Sequence, residues 1–405
     1  MREIFNKYFS LIYFSTLFVL IVFKEPAIFF QPRFWAEEGM VFYSFAYNHD
    51  LAETLLTPLV GYYTFYNVVV SSFQSTFISV ENAPVISTIA GLIVQLIPFI
   101  LIFYSSSIYF NTTSKKYLLS LSILLITPNE IWINTTNSHF FFGLITFLIL
   151  IADNSAQTIL RYFKYLLLVV GSLTGPMSCF FAPLFIFKYW KDRTKENLYQ
   201  MLVSVFAGTL QVGITVYCLL YNNQYKRLVD RNFYTSFKAY IADNFALLLP
   251  FGENDRFIIG LFIMPISILI FWHIIKNRQS YNYLGLASFL IISILSLLGS
   301  LNMAGGSRYG FVPTVILICL LANTIYDNNR RNASKYSVFA GFFLACFILI
   351  QLVGFKLNSD KLYQPSFPDW KSEVKKWRDV PTYKMKVHPY DENKGWNVTL
   401  LPRKS

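Results

Sequence analysis

The sequence predicts an all-α, polytopic transmembrane helical bundle, and three observations carry that prediction. Hydrophobic residues make up 55% of the 405 and charged residues only 14%, against roughly 25% charged in soluble domains; mean hydropathy is +0.45. The apolar residues gather in runs that approach the ~20 residues a helix needs to cross a bilayer. The basic residues gather at the ends of those runs, as the positive-inside bias and anionic lipid heads favour. This placement accounts for the net charge of +12 and argues against nucleic acid as a partner.

The first apolar run, 9–23, follows Arg2 and Lys7 as in a signal peptide. Lys24-Glu25-Pro26 come next and no small-residue cleavage site does, so it is expected to be a retained span. Further spans are expected at 83–104, 117–126, 140–151, 165–174, 177–189, 201–221, 258–275, 283–301, 309–326 and 336–355, making about eleven, several of them short. The stretch 62–80 is apolar but carries Asn67, Ser71, Ser72, Gln74 and Ser75. If it crossed, Lys115 and Lys116 would lie outside. If it lies in the interface as a juxtamembrane helix, then Lys115, Lys116, Lys188, Lys191, Arg193, Lys195, Lys276, Arg278, Arg330, Arg331 and Lys335 all fall on the cytoplasmic side with the N-terminus, which the positive-inside rule prefers.

The expected organisation is therefore a transmembrane domain, 1–355, whose first outer loop, 24–82, carries juxtamembrane helices, and a small extracytoplasmic C-terminal tail, 356–405. The tail changes composition, with Pro368-Asp-Trp-Lys371, Glu373-Val-Lys-Lys-Trp377-Arg378, His388-Pro-Tyr390 and Gly395-Trp-Asn397. It has too few apolar residues for a core of its own and is expected to dock as a short helix and strand on the outer loops. Cys179, Cys218, Cys319 and Cys346 sit inside apolar runs without disulfide or metal spacing and read as packing residues. The short basic loops hold no Gly-rich phosphate cradle. No solenoid repeat occurs, and no inverted pair of Gly/Pro-broken helices of the kind common in transporters.

Chemistry concentrates on the expected outer face. Arg33-Phe-Trp-Ala-Glu37-Glu38-Gly39, followed by Tyr43, sets two adjacent carboxylates directly after the first span. Ionisable groups beside a membrane are costly and usually functional. Apolar aromatic neighbours and a second acid both raise a carboxyl pKa, which suits a base that takes a proton from a hydroxyl. The pair can equally cap the helix that starts at Gly39 or pair with Arg33. Arg33, Trp35 and Tyr43 are candidate substrate contacts beside it. The segment Pro128 to His139 adds Glu130, Trp132, Asn134, Asn137 and His139, the amides and aromatic platform that hold hydroxyl-rich ligands such as sugars. Glu130 together with Glu37 or Glu38 offers oxygen ligands that suit Mg²⁺ or Mn²⁺. Arg308-Tyr309, after a Gly305-Gly306 turn, places a guanidinium where it can fork onto phosphate or snorkel to lipid heads. Arg231, in a looser basic series with Lys226, Arg227 and Lys238, is a weaker phosphate candidate.

These residues resemble a known family. Phe34-Trp-Ala-Glu-Glu-Gly39, Thr57-Pro-Leu-Val-Gly-Tyr62, Asn137-Ser-His139, Leu173-Thr-Gly-Pro176, Ser307-Arg-Tyr309 and the Trp-rich tail are similar to bacterial polytopic proteins of the C superfamily (GT-C fold) of lipid-linked-sugar glycosyltransferases. The phage-type O-antigen glucosyltransferases of serotype conversion match in size and layout. Many members carry Asp in the acidic pair, where this chain has Glu twice, and an Asp in the second outer loop, where it has Glu130. The resemblance implies inverting transfer from a polyprenyl-phosphate sugar, glucose by the nearest group, to a lipid-linked or surface polysaccharide such as O-antigen, on the periplasmic face of a bacterial inner membrane. Glu37 or Glu38 would deprotonate the acceptor hydroxyl and Arg308 would steady the leaving phosphate. An O-antigen polymerase and a polysaccharide or lipid transporter (flippase) share the polytopic layout. The first has no particular need of the acidic pair, and the second predicts charged or broken helices at mid-membrane.

Overall fold

A computed structural model describes residues 2–221, 233–246, 248–276, 280–299, 306–325, 335–357, 367–389 and 395–402. In chain order these form α1 (Arg2–Lys24), α2 (Ala27–Phe30), a π-helical turn (Glu38–Tyr43), α3 (Ser44–Asn48), α4 (Leu51–Leu56), α5 (Phe65–Phe77), α6 (Ala83–Tyr104), α7 (Thr113–Ile126) and α8 (Ser138–Ile151). There follow α9 (Thr158–Leu173), α10 (Pro176–Cys179), α11 (Ala182–Lys191), α12 (Lys195–Tyr221), α13 (Phe233–Asn244), α14 (Glu253–Lys276), α15 (Ser280–Gly299), α16 (Ser307–Ile325), α17 (Lys335–Leu357) and α18 (Trp370–Asp379). Two short strands, β1 (Met385–Lys386) and β2 (Asn397–Val398), pair antiparallel with Met385 opposite Val398. Among the described residues the fold is all-helical apart from this strand pair.

Among the described residues, five helical segments are long and apolar enough to cross a membrane: Val80–Tyr104, Lys195–Tyr221, Glu253–Lys276, Asn282–Gly299 and Ser307–Ile325. The pair Thr158–Leu173 and Pro176–Lys191 adds a sixth if it counts as one span broken by a 117° bend. The other apolar helices, among them Ser138–Ile151 and Ala340–Phe355, are shorter. The centre of the bundle explains part of this. Every residue of α8 from Phe140 to Ile151 is buried, as is every residue of α16 from Gly310 to Thr324. A helix apolar on all sides belongs inside protein, and α8 and α16 meet through the Phe141–Phe311 and Phe140–Tyr309 ring pairs.

α5 has 13 residues and buries Asn67, Ser71, Ser72, Gln74 and Ser75, while Val69, Phe73 and Phe77 are exposed. Its polar face turns inward because it has partners there. Asn67 Nδ2 donates to Thr135 O at 2.7 Å, and Gln74 Nε2 to Ala83 O at 2.7 Å and Ser87 Oγ at 2.8 Å. Its outward face, with Val69, Phe73 and Phe77, is apolar.

The bundle has two chemically different ends. At one, lysines satisfy the last carbonyls of helices, which lack intrahelical partners. Lys116 Nζ donates to Phe103 O, Lys188 Nζ to Ala152 O at 2.9 Å and Lys164 Nζ to Asp153 O at 3.2 Å. Asp153 N–H in turn donates to Ser106 O at 2.8 Å, and buried Glu196 accepts from Ser155 N–H at 2.8 Å and pairs with Arg161 at 3.3 Å. The basic loops around Lys115 and Lys188, which sequence groups together, thus share one end, and Lys164 joins them there.

The other end carries the first loop, and there the tail builds a second core. Phe34, Tyr43, Val80, Ala83, Trp370, Val374, Met385, Val387, Val398 and Leu400 bury one another. Trp370 Nε1 donates to Val80 O at 2.8 Å, and Thr399 O accepts from Ser44 Oγ at 2.8 Å and Asn48 Nδ2 at 2.9 Å. Gly39 lies under this seam. A Cβ there would stand 2.8 Å from Val398 Cγ2 and 3.0 Å from Phe34 Cβ, so the tail sits this close to the acidic stretch only because residue 39 has no side chain.

Candidate active site

The acidic pair is split by its backbone. Ala36 takes φ +46°, and in the facing loop Ile133 takes φ +44°; such left-handed residues cost about 1–3 kcal/mol each and cluster at functional sites. Beyond Ala36, Glu38 turns into the protein and is 3% exposed. Its Oε2 accepts the Trp35 N–H at 2.8 Å, and its Oε1 accepts both the Thr135 N–H and the Thr135 hydroxyl, the latter at 2.8 Å. Burial pushes the Glu38 pKa up, opposed by these three donors and by Arg33. Glu38 is a clamp between the first and second loops.

Around the clamp, Arg33 is 4% exposed with its guanidinium 4.6 Å over the Trp35 ring. Burial lowers its pKa to about 10, and the charge of Glu38 opposes that shift. His388 of the tail donates its N–H to Phe34 O at 3.2 Å and accepts from Ala36 N–H with its carbonyl. Burial, then the Arg33 charge, push its ring down to about 3, so a neutral imidazole packs beside the guanidinium.

Glu37 faces the other way. It begins the π-helical turn without making a side-chain cap, and it lines a cavity of about 420 Å³ together with Tyr62, His139, Arg308, Tyr309 and Trp396. Glu37 and Arg308 interact electrostatically across that space. His139 opens α8, and its approach depends on Gly175 at φ +147°, where a Cβ would stand 2.9 Å from His139 Cβ. Arg308 is placed by the turn before α16. The Gly306 N–H donates to Asp243 Oδ2 at 2.7 Å, and Asp243 Oδ1 accepts from Arg256 at 3.3 Å. Burial raises the Asp243 pKa to about 6, against the lowering pull of the Gly306 N–H and Arg256.

An apolar groove of about 660 Å³ lies beside this cavity, between α11, α12 and the end of α15. Val60, Tyr62, Pro176, Phe180 and Gly299 line both spaces. The bent tip between α9 and α11 forms the join, with Thr174 Oγ accepting the Tyr66 N–H at 3.2 Å.

The structure thus brings Glu37, Asn137, His139, Arg308 and Tyr309 to one cavity and sends the other candidates elsewhere. Tyr43 is fully buried in the second core, stacked on Phe34 at 4.8 Å. Trp132 is fully buried in the main core with the Lys24 ammonium 3.9 Å over its ring, so it is not a platform for ligand. Asn134 Nδ2 and Asn137 Nδ2 both donate to Glu130 O, at 2.9 and 2.7 Å, and knit their own loop. Glu130 pairs with Arg308 at 3.6 Å and, with Trp35, lines a separate cavity of about 500 Å³. Glu38, one of the carboxylates considered with Glu130 for a metal, is taken up by its hydrogen bonds to Trp35 and Thr135. Glu37, Glu38 and Glu130 have three different surroundings, and no group of three or more His, Cys, Asp or Glu side chains among the described residues is placed to hold a metal ion. Arg231 lies outside the described residues.

Sequence reasoning missed Tyr62, Thr136, Trp396 and Asp243. The first two had weak signals, in the Thr57-to-Tyr62 motif and the polar second loop. Trp396 had only the Trp-rich tail and Asp243 had none, because only tertiary packing brings α13 and the tail to this place. Compared with known proteins, the chain matches no family model, no curated protein and no solved structure.

Proposed function

We propose that this chain is a membrane glycosyltransferase that moves a sugar, with inversion, from a polyprenyl-phosphate carrier to a hydroxyl of a lipid-linked or surface polysaccharide. The observation that carries this reading is that a cavity holding Glu37, His139 and Arg308 shares part of its wall with an apolar groove. A ligand that is hydroxylated and anionic at one end and hydrocarbon at the other fits that pair of spaces. The Glu37 carboxylate takes the proton of the acceptor hydroxyl as its oxygen attacks the anomeric carbon. The bond from that carbon to the phosphate oxygen breaks, and the phosphate leaves onto Arg308. Phosphate is already a fair leaving group, so alignment, base action and charge stabilisation are the main tasks. Glucose as the sugar, O-antigen as the acceptor and the periplasmic face of the inner membrane come from the resemblance to serotype-converting glucosyltransferases.

Linkage and mass analysis of the envelope polysaccharide from cells with and without the gene tests this function. One added hexose in a new linkage is expected, and identical polysaccharides sink the proposal. The phosphate role is testable separately. Arg308→Ala is expected to raise the donor KM at least about tenfold, the scale of one lost charge-assisted contact. Arg193→Ala, an exposed arginine at the lysine-rich end, is expected to leave it unchanged; equal effects would refute the assignment.

A further inference from the structure

We propose that Trp396, delivered by the C-terminal hairpin, is the stacking wall for the transferred sugar and selects a pyranose whose ring hydroxyls are all equatorial. The inference rests on the glycosyl-transfer reading and adds a specificity residue to it. Trp396 is the one tryptophan that lines the Glu37 cavity among the described residues. Two tryptophans nearer in sequence to the loops of the site are turned away. Trp35 lies against Arg33 and lines the separate cavity, and Trp132 is sealed in the core.

The position of Trp396 is built by several independent contacts. Its carbonyl accepts the Val387 N–H at 3.1 Å, next to the Met385–Val398 and Lys386–Asn397 pairs. Gly395, at φ +59°, supplies the left-handed residue that turns the chain into the strand. Alternate residues of an extended segment share a face. Val398 and Leu400, on the Trp396 face, are 0% and 1% exposed in the second core. Trp396 continues that row, packs partly against the same core and reaches the cavity where the core ends. The tail that carries it is latched at a distance by Trp377 Nε1 to Leu400 O at 3.2 Å, by Leu401 N–H to Asn48 Oδ1 at 2.8 Å and by Arg378 to Glu81 at 2.5 Å.

The chemistry follows from shape. A pyranose with all-equatorial hydroxyls has a ring face of axial C–H bonds, apolar and flat, which covers an indole well. Its rim of hydroxyls then meets Glu37, Thr136, Asn137 and His139 in the same lining. An axial hydroxyl on the ring face that meets the indole would press a polar group onto it without a hydrogen-bond partner, and a buried unpaired polar group is disfavoured; the inference places the axial C4 hydroxyl of a galactose on that face.

The test uses full-length protein in nanodiscs with lipid-linked polysaccharide from a strain lacking the gene as acceptor, undecaprenyl-phosphate glucose and undecaprenyl-phosphate galactose as donors, and release of undecaprenyl phosphate as the readout. Wild type is expected to prefer the glucose donor. Trp396→Ala is expected to raise its KM about tenfold with a smaller change in kcat, and to shrink the glucose-to-galactose ratio. Trp396→Tyr restores most of both, and Trp396→Leu, apolar but without a flat face, does not. Lys375→Ala, an exposed tail residue outside the cavity and outside these latches, leaves KM and ratio unchanged. An active wild type whose KM and ratio survive Trp396→Ala overturns the inference alone, as does rescue by Leu or an equal shift from Lys375→Ala. A wild type that releases no undecaprenyl phosphate from either donor overturns the transfer reading and this inference with it.

Discussion

Glu37→Gln is expected to lower sugar transfer by about 10²- to 10⁴-fold, the range that one positioned general base contributes, and to leave the unfolding temperature where it was. The carboxylate faces the cavity, is half-buried and caps nothing. Gln keeps its size and its hydrogen-bonding reach but cannot accept a proton from an acceptor hydroxyl. The folded state therefore loses little, and the reaction loses its base. Initial rates and thermal unfolding of the same preparation check both halves of the expectation. A slow, stable variant supports the assignment, and a variant at near-normal rate removes Glu37 from the chemistry.

The neighbouring substitution is expected to do the reverse. Glu38→Gln sets an amide NH₂ where one of the two carboxylate oxygens now accepts hydrogen bonds, from Trp35 on one side or Thr135 on the other. At least one buried donor then faces another donor. Leaving a buried polar group unpaired costs about 1–3 kcal/mol, and the remaining bonds lose their charge assistance. A loss of about 3 kcal/mol is expected, seen as an unfolding temperature lower by several degrees and a reduced yield of folded protein. Activity per folded molecule falls less than in Glu37→Gln. Thr135→Ala removes part of the same clamp, so its destabilisation combined with Glu38→Gln is expected to be well short of additive. Equal stability of the Glu37 and Glu38 variants would contradict the division of labour between them.

That division could not be read from two adjacent glutamates. It depends on the left-handed turn at Ala36 and on a partner, Thr135, nearly a hundred positions away. What could be read were features set by local pattern. The apolar runs mark helices, and α6 at Ala83–Tyr104 has the bounds expected of it. The serine- and amide-rich stretch 62–80 is a 13-residue helix turned polar side in. The tail folds as a short helix and a hairpin. The number of crossings is a coarser matter, since length and composition support five spans, or six with the bent pair, where the apolar runs gave eleven. Helices such as α7 and α8, of 14 residues, are shorter than that criterion asks. Aromatics were the least legible class. Tyr43, Trp35, Trp132 and Trp396 are equally apolar as letters, yet one lines the Glu37 cavity, another its neighbour cavity and two are core. Only the docking of the tail and the packing of Lys24 on Trp132 distinguish them.

The central claim is that the Glu37 cavity passes a sugar from a polyprenyl phosphate to a polysaccharide hydroxyl. Its most direct test gives undecaprenyl-phosphate [¹⁴C]glucose to nanodisc-embedded wild-type and Glu37→Gln protein with lipid-linked polysaccharide extracted from a strain lacking the gene. The expected result is label in the polysaccharide matched by released undecaprenyl phosphate, an inverted anomeric linkage, and almost none of either from Glu37→Gln. Equal transfer by the two proteins, or no transfer by the wild type, would contradict it.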